Sequence, residues 1–165
     1  MKKRTQFLFP TFGQTTSEFG GSLLKGKRKA ARPISVKLPM HLVLKSDVLI
    51  FRKNLKAHRE VVQRFAKKFH IKIMQNEFNG NHVHLIIRVL HKANYNAFIR
   101  AVTSRMAAIA KLKKAFTLRP YTRFVQWGRD LKNAISYLNI NCLEADGLPR
   151  VNARLLNRLL NEGFG

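Results

Sequence analysis

Asn79-Gly80-Asn81-His82-Val83-His84-Leu85-Ile86-Ile87 is the stretch from which the rest of the chain can be placed. The Asn/Gly pair is a turn signal, and the residues from Val83 to Val89 alternate in character, which predicts a strand. Successive side chains on a strand point to opposite faces. His82 and His84 therefore share one face, close enough to hold one metal ion. Val83, Leu85, Ile87 and Val89 share the other and belong in a core. Two solvent-facing histidines on a half-exposed strand would give the same pattern, so the rest of the chain must decide.

The strand before it supplies the partner. Ile71 to Glu77 reads as a strand that should pair with the His-x-His strand as a hairpin across the Asn79-Gly80 turn. Upstream, Asn54 to Phe69 reads as an amphipathic helix burying Leu55, Val62, Phe65, Ala66 and Phe69. From Pro33 to Lys45 the alternation Ile34, Val36, Leu38, Met40, Leu42, Leu44 predicts a half-buried strand bent at Pro39. His41 falls on the opposite face of that strand, where a lone histidine is more often structural than catalytic. Met1 to about Arg32 is Lys/Arg-, Gly- and Ser/Thr-rich and reads as a disordered basic tail whose phenylalanines could dock on the body.

Downstream, Asn94 to Phe116 reads as a second helix. Phe98, Val102, Met106, Ile109 and Leu112 form its buried stripe, and Arg100, Arg105, Lys111, Lys113 and Lys114 make the remainder positive. Tyr121 to Trp127 reads as a strand ended by Gly128. A third helix follows from Asp130, its N-cap or first-turn acid, to about Cys142. Asp146-Gly147-Leu148-Pro149 is a turn, and Val151 to Leu160 a short basic helix. The element order is that of an α+β, ferredoxin-like split β-α-β domain. Its antiparallel sheet carries two helices on one face and leaves the histidine face for the third helix. The chain divides into a tail over 1–32, a body over 33–145 and a C-terminal turn and helix over 146–165.

Charge narrows the function. The 165 residues include 32 Lys and Arg against 8 Asp and Glu, a formal net charge of +24. Such a field attracts polyanions, nucleic acid first. Anionic membrane is the weaker alternative, since no apolar run approaches a membrane span and the basic N-terminus lacks a signal-peptide core. The single cysteine, Cys142, excludes an intrachain disulfide framework and a multi-cysteine zinc site, and fits a reducing, cytoplasmic, nucleoid-associated setting.

On the third helix Leu131, Ile135, Leu138 and Cys142 form the apolar stripe, while Asn133, Tyr137 and Asn141 form a second stripe at i, i+4 spacing. Tyrosine can act as a covalent nucleophile, and the Asn141 amide could complete a metal site with two imidazoles. A surface tyrosine flanked by asparagines is the plainer account of those three residues alone.

The Asn81-His82-Val83-His84-Leu85 and Ile135-Ser136-Tyr137-Leu138-Asn139-Ile140-Asn141 segments together resemble those of the HUH single-tyrosine transposases. These comprise small insertion-sequence transposases and domesticated relatives associated with repetitive extragenic palindromes. Met40-His41-Leu42-Val43-Leu44 is similar to that family's first strand. The resemblance runs from about Pro33 to Ala145. Cys142 stands where the family often has proline, and Asn79-Gly80 where it often has Met-Pro.

The resemblance implies cleavage and rejoining of single-stranded DNA, with hairpin or palindromic structure, through a 5′-phosphotyrosine link on Tyr137. It implies a divalent metal, Mg2+ or Mn2+, on His82, His84 and Asn141, and a homodimer. Arg88, Arg100, Arg105, Lys111, Lys113 and Lys114 would hold the nucleic acid. Two readings compete: a non-catalytic basic nucleic-acid-binding ferredoxin-like module, and a domesticated, silent relative. Other two-histidine hydrolases fit less well. The Asp and further His of a metallo-β-lactamase do not follow His84, and no second His-x-Ser/Thr motif is present.

Overall fold

The computed structural model describes residues 18–27 and 31–162. Five strands and four α-helices follow one another: β1 (Glu18–Phe19), β2 (Met40–Lys45), α1 (Leu55–Lys68), β3 (Ile71–Asn79), β4 (His82–Val89), α2 (Lys92–Ile109), β5 (Tyr121–Phe124), α3 (Arg129–Ala145) and α4 (Arg150–Glu162). The strands form one sheet in the order β1-β5-β2-β4-β3, every pairing antiparallel. The α+β, ferredoxin-like arrangement expected from the element order is the one observed.

Alternation sets the layers. Met40, Leu42 and Leu44 of β2 and Val83, Leu85, Ile87 and Val89 of β4 point to one side. There they meet Val61, Val62 and Ala66 of α1 and Tyr95, Phe98, Val102 and Met106 of α2. This is the main core; each large aliphatic or aromatic side chain fully withdrawn from water there contributes about 1.5–3 kcal/mol. On the other side, Ile86 and Val125 pack against Ala134 and Leu138 of α3 in a separate, smaller cluster. Gly147, with φ 95°, turns the chain from α3 into α4. α4 docks on α3 through buried Ala153 and through Asn157 Nδ2, which donates to Ser136 Oγ at 2.6 Å.

Four boundaries differ from the sequence pattern. Residues 33–39 are not strand: Pro39 has no N–H to donate, and the Ser35 hydroxyl accepts the Leu38 N–H at 2.9 Å in a local turn. The strand therefore starts at Met40. α2 stops at Ile109 because Lys111 turns left-handed (φ 56°) and the Leu112 N–H folds back onto the Ala107 carbonyl at 2.9 Å. β5 ends at Phe124: the Val125 N–H still bonds the facing Pro39 carbonyl at 2.9 Å, but Pro39 has no N–H to return, so the ladder stops there. Finally, part of the segment read as a tail is folded. Glu18–Phe19 pairs with Arg123 and Thr122 of β5, and Arg32 donates to Thr122 Oγ1 and the Pro120 carbonyl while its guanidinium sits over the Phe19 ring. Residues 1–17 and 28–30 of that expectation lie outside the described residues.

Candidate active site

The histidine face of the sheet can be assembled strand by strand from its register. On β4 it carries His82, His84, Ile86 and Arg88. Opposite them on β2 stand Lys45, Val43 and His41, paired with His82, His84 and Ile86 in turn. Tyr121 and Arg123 of β5 follow beside Val43 and His41. On the far side β3 contributes Asn79 beside His82, Glu77 beside His84 and Gln75 beside Ile86.

The two histidines of the motif are close, with ring centroids 4.8 Å apart and planes nearly perpendicular. Each has its Nδ1 engaged. His82 Nδ1 lies 2.9 Å from Asn81 Oδ1, and His84 Nδ1 lies 3.0 Å from His41 Nε2. Neither Nε2 makes a hydrogen bond among the described residues. The His41 and His84 rings are tilted by 21° with centroids 5.2 Å apart, the span of two rings joined nitrogen to nitrogen. They meet edge to edge in one plane rather than face to face. Burial lowers the pKa of all three. His84 falls to about 3, through desolvation and then the neighbouring His41 and His82. His41 falls to about 4, through desolvation and then Arg123. His82 is lowered by desolvation and then by Lys45. All three imidazoles are therefore neutral at pH 7, the state in which a histidine nitrogen can take a metal.

α3 lies over this face along β3. Gln75 Nε2 donates to Asn139 Oδ1, and Cys142 hydrogen-bonds Glu77, so successive positions of the helix track successive positions of the strand. Leu138 meets Ile86 of β4 beneath. At 100° per residue, Asn139 and Cys142 lie to one side of Leu138, over β3. Tyr137 and Asn141 lie to its other side, away from β3. Tyr137 is 48% exposed. Among the described residues no group of three or more His, Cys, Asp or Glu is arranged to hold a metal.

The expected nucleic-acid residues divide between two layers. Arg88 shares the histidine face, its guanidinium over the Trp127 ring at 5.8 Å. Arg100 and Arg105 are exposed on α2, on the other side of the sheet. Lys111, Lys113 and Lys114 are exposed in the loop after that helix, not on it. The structure thus gathers His82, His84 and Arg88 on one face, lays α3 over that face through Leu138 and Ile86, and leaves the other five basic residues elsewhere.

Two residues of this face escaped the sequence reading. His41 is a lone histidine by sequence pattern, but register sets it diagonally across from His84. Glu77 is buried opposite His84, with its carboxyl raised chiefly by desolvation, against hydrogen bonds from Cys142 and the Phe78 backbone. The available signal was the alternation of β2 and β3, which puts both residues on the non-core side once the hairpin register is fixed.

The model of the IS200-like transposase family matches residues 35–132, more than half of the chain. This protein belongs to that family. The match covers β2 to the start of α3 and contains both motif histidines and His41; Tyr137 and Asn141 lie just beyond it. None of the curated proteins matches in sequence. Among solved structures, a REP-associated tyrosine transposase bound to a REP hairpin aligns with a TM-score of 0.62 and 12% identity, over 71% of this chain and 73% of that one. At that identity the likeness shows a shared fold. A transposase candidate from Deinococcus radiodurans aligns over 67% of this chain and 94% of its own, at 13% identity and a TM-score of 0.46, too low to carry an argument. Among the described residues no helix is long and apolar enough to cross a membrane.

Proposed function

We propose that this transposase cuts and rejoins single-stranded DNA with Tyr137 as nucleophile, and that its substrate carries hairpin structure. The observation that carries the reading is the shared face: paired, neutral histidines lie on the side of the sheet covered by α3, the helix that carries Tyr137 and Asn141. Membership of the family supports DNA strand transfer as the overall reaction. The hairpin bound by the REP-associated neighbour supports the choice of substrate.

In the proposed step the Tyr137 phenol oxygen attacks a backbone phosphorus as the bond to the 3′ oxygen breaks. The 3′-hydroxyl leaves, and a 5′-phosphotyrosine remains on the helix. Attack by a 3′-hydroxyl on that ester runs the step backwards and rejoins a strand without ATP, because the ester retains the energy of the broken bond. Lys45, Arg88 and Arg123 on the same face attract the phosphate backbone. The exposed position of Tyr137 leaves its ring open to a strand laid across that face.

His82 and His84 fit a divalent ion: both are neutral, both have Nδ1 engaged, and neither Nε2 is hydrogen-bonded among the described residues. With no carboxylate or third imidazole joining them in a ligand group, Asn141 and phosphate oxygens would complete the set. Bound Mg2+ or Mn2+ would supply charge stabilisation at the phosphate. Arg100, Arg105, Lys111, Lys113 and Lys114, on the far layer and its loop, would hold a second stretch of nucleic acid such as a stem. A homodimer is part of this proposal, and sedimentation of the purified chain tests it directly.

The deciding experiment incubates the full chain with single-stranded hairpin DNA and Mn2+ and looks for a covalent adduct on a denaturing gel. Wild type should form one, Tyr137→Phe none, and His82→Ala very little. An adduct that persists in Tyr137→Phe refutes the nucleophile. Hairpin binding without any adduct favours a silent binding module.

A further inference from the structure

The contacts made by the two Nδ1 atoms point to a pair of positioning residues. Asn81 Oδ1 can only accept a hydrogen bond, so at 2.9 Å it requires the proton of His82 to sit on Nδ1. The His82 lone pair is then on Nε2. His84 meets His41 instead, Nδ1 to Nε2 at 3.0 Å, and that contact can form with the proton on either ring. From this geometry we infer that His41 is the acceptor: it holds His84 as the Nδ1-protonated tautomer, as Asn81 holds His82, so both rings present an Nε2 lone pair to the same space.

Three observations support the assignment. The His41 and His84 rings are nearly coplanar and joined end to end, which puts the proton on the in-plane lone-pair axis. His41 sits on a central strand, paired on one side with Ile86 and on the other with Arg123, and Tyr121 abuts its ring edge-on at 6.3 Å. Its ring is therefore fixed by packing, as a residue that orients another must be. The opposite tautomer would place a proton on His84 Nε2, next to a His82 ring whose own Nε2 carries a lone pair. Only one ring could then serve as a ligand. Neither His41 nor Asn81 touches the ion in this scheme; each acts through the ring it holds.

The third point and the consequence for metal binding rest on the ligand role proposed above for His82 and His84; the spectra below read the tautomer without it. Nitrogen-15 spectra of the histidine side chains, recorded on the full metal-free chain, should show both His82 and His84 protonated on Nδ1. His84 protonated on Nε2 would overturn the inference. Mn2+ affinity, read from the electron paramagnetic resonance signal of the free ion, should fall about 10–100-fold in His41→Ala. It should recover in part in His41→Gln, whose amide oxygen can still accept. Should the alanine variant fold poorly, the glutamine variant carries the test: it should keep His84 protonated on Nδ1, and His84 protonated on Nε2 in that variant with wild-type Mn2+ affinity would overturn the inference. Unchanged affinity in a folded His41→Ala would also overturn the inference. A wild-type chain that takes no Mn2+ would sink the ligand role, while the tautomer spectra would still decide what His41 does.

Discussion

The two faces of one sheet make different uses of the same alternation. Toward α1 and α2, β2 and β4 present only aliphatic side chains, each fully or almost fully buried. Toward α3, the same strands present His41, Val43 and Lys45, and His82, His84, Ile86 and Arg88, and a small apolar cluster with a few polar contacts holds the helix. The first face holds the fold together, while the second leaves polar groups within reach of water. A face meant to receive a phosphate backbone cannot be closed by packing, and a lightly anchored α3 is compatible with that need.

The sharpest break in this comparison is chemical. Tyr137→Phe should remove the covalent adduct while changing stability by no more than about 0.5 kcal/mol, because the residue is half-exposed and its neighbours on the helix provide the anchoring. Gel assay and urea titration on the same sample check both halves. The converse comparison uses neighbours on one strand. Leu85→Ala should fall in the upper half of the roughly 2–5 kcal/mol range for such truncations, and Ile86→Ala in the lower half, since α3 can settle over a four-residue cluster. Equal losses in urea midpoints would mean that the second face is anchored as firmly as the first.

Acid should separate the faces next. In the metal-free chain His41 and His84 titrate near 4 and 3, against 6.5 when unfolded, so below 6.5 the unfolded state binds more protons. The stability these neutral rings contribute is fully present above pH 6.5 and declines as pH falls toward about 4. A His41→Gln chain should lose less over that window, by urea midpoints taken at successive pH values. The smallest effect belongs to the entrance of α3. Asp130 accepts the Gln126 N–H at 2.8 Å and pairs with Arg123 at 3.3 Å, so Asp130→Ala should cost about 1 kcal/mol.

Much of this was legible in the chain. The His-x-His alternation fixed one strand's two faces, and the apolar stripe of α3 correctly assigned Leu138 inward. What escaped depended on partners distant in sequence. β1 exists because Arg123 and Thr122 stand ready to pair with it, which no local signal in a Gly- and Lys-rich segment announces. The end of β5 is set by the N–H that the facing Pro39 lacks, and the end of α2 by a backbone reversal at a lysine rather than at a glycine. His41 was visible as a residue but not as a partner, because its meeting with His84 requires the β2–β4 register.

Because Val83 and Leu85 are interleaved with His82 and His84, inheritance of the site is tied to inheritance of the core. A single-residue insertion or deletion within β4 would bring valine and leucine to the surface and drive imidazoles under α1 and α2, so it would cost the protein its fold along with its chemistry. A lineage can lose this site by point replacement of a histidine and keep a stable scaffold. It cannot lose the site by sliding the strand. Inactive descendants, where they arise, should therefore retain β4 at its original length with other side chains in place of the imidazoles.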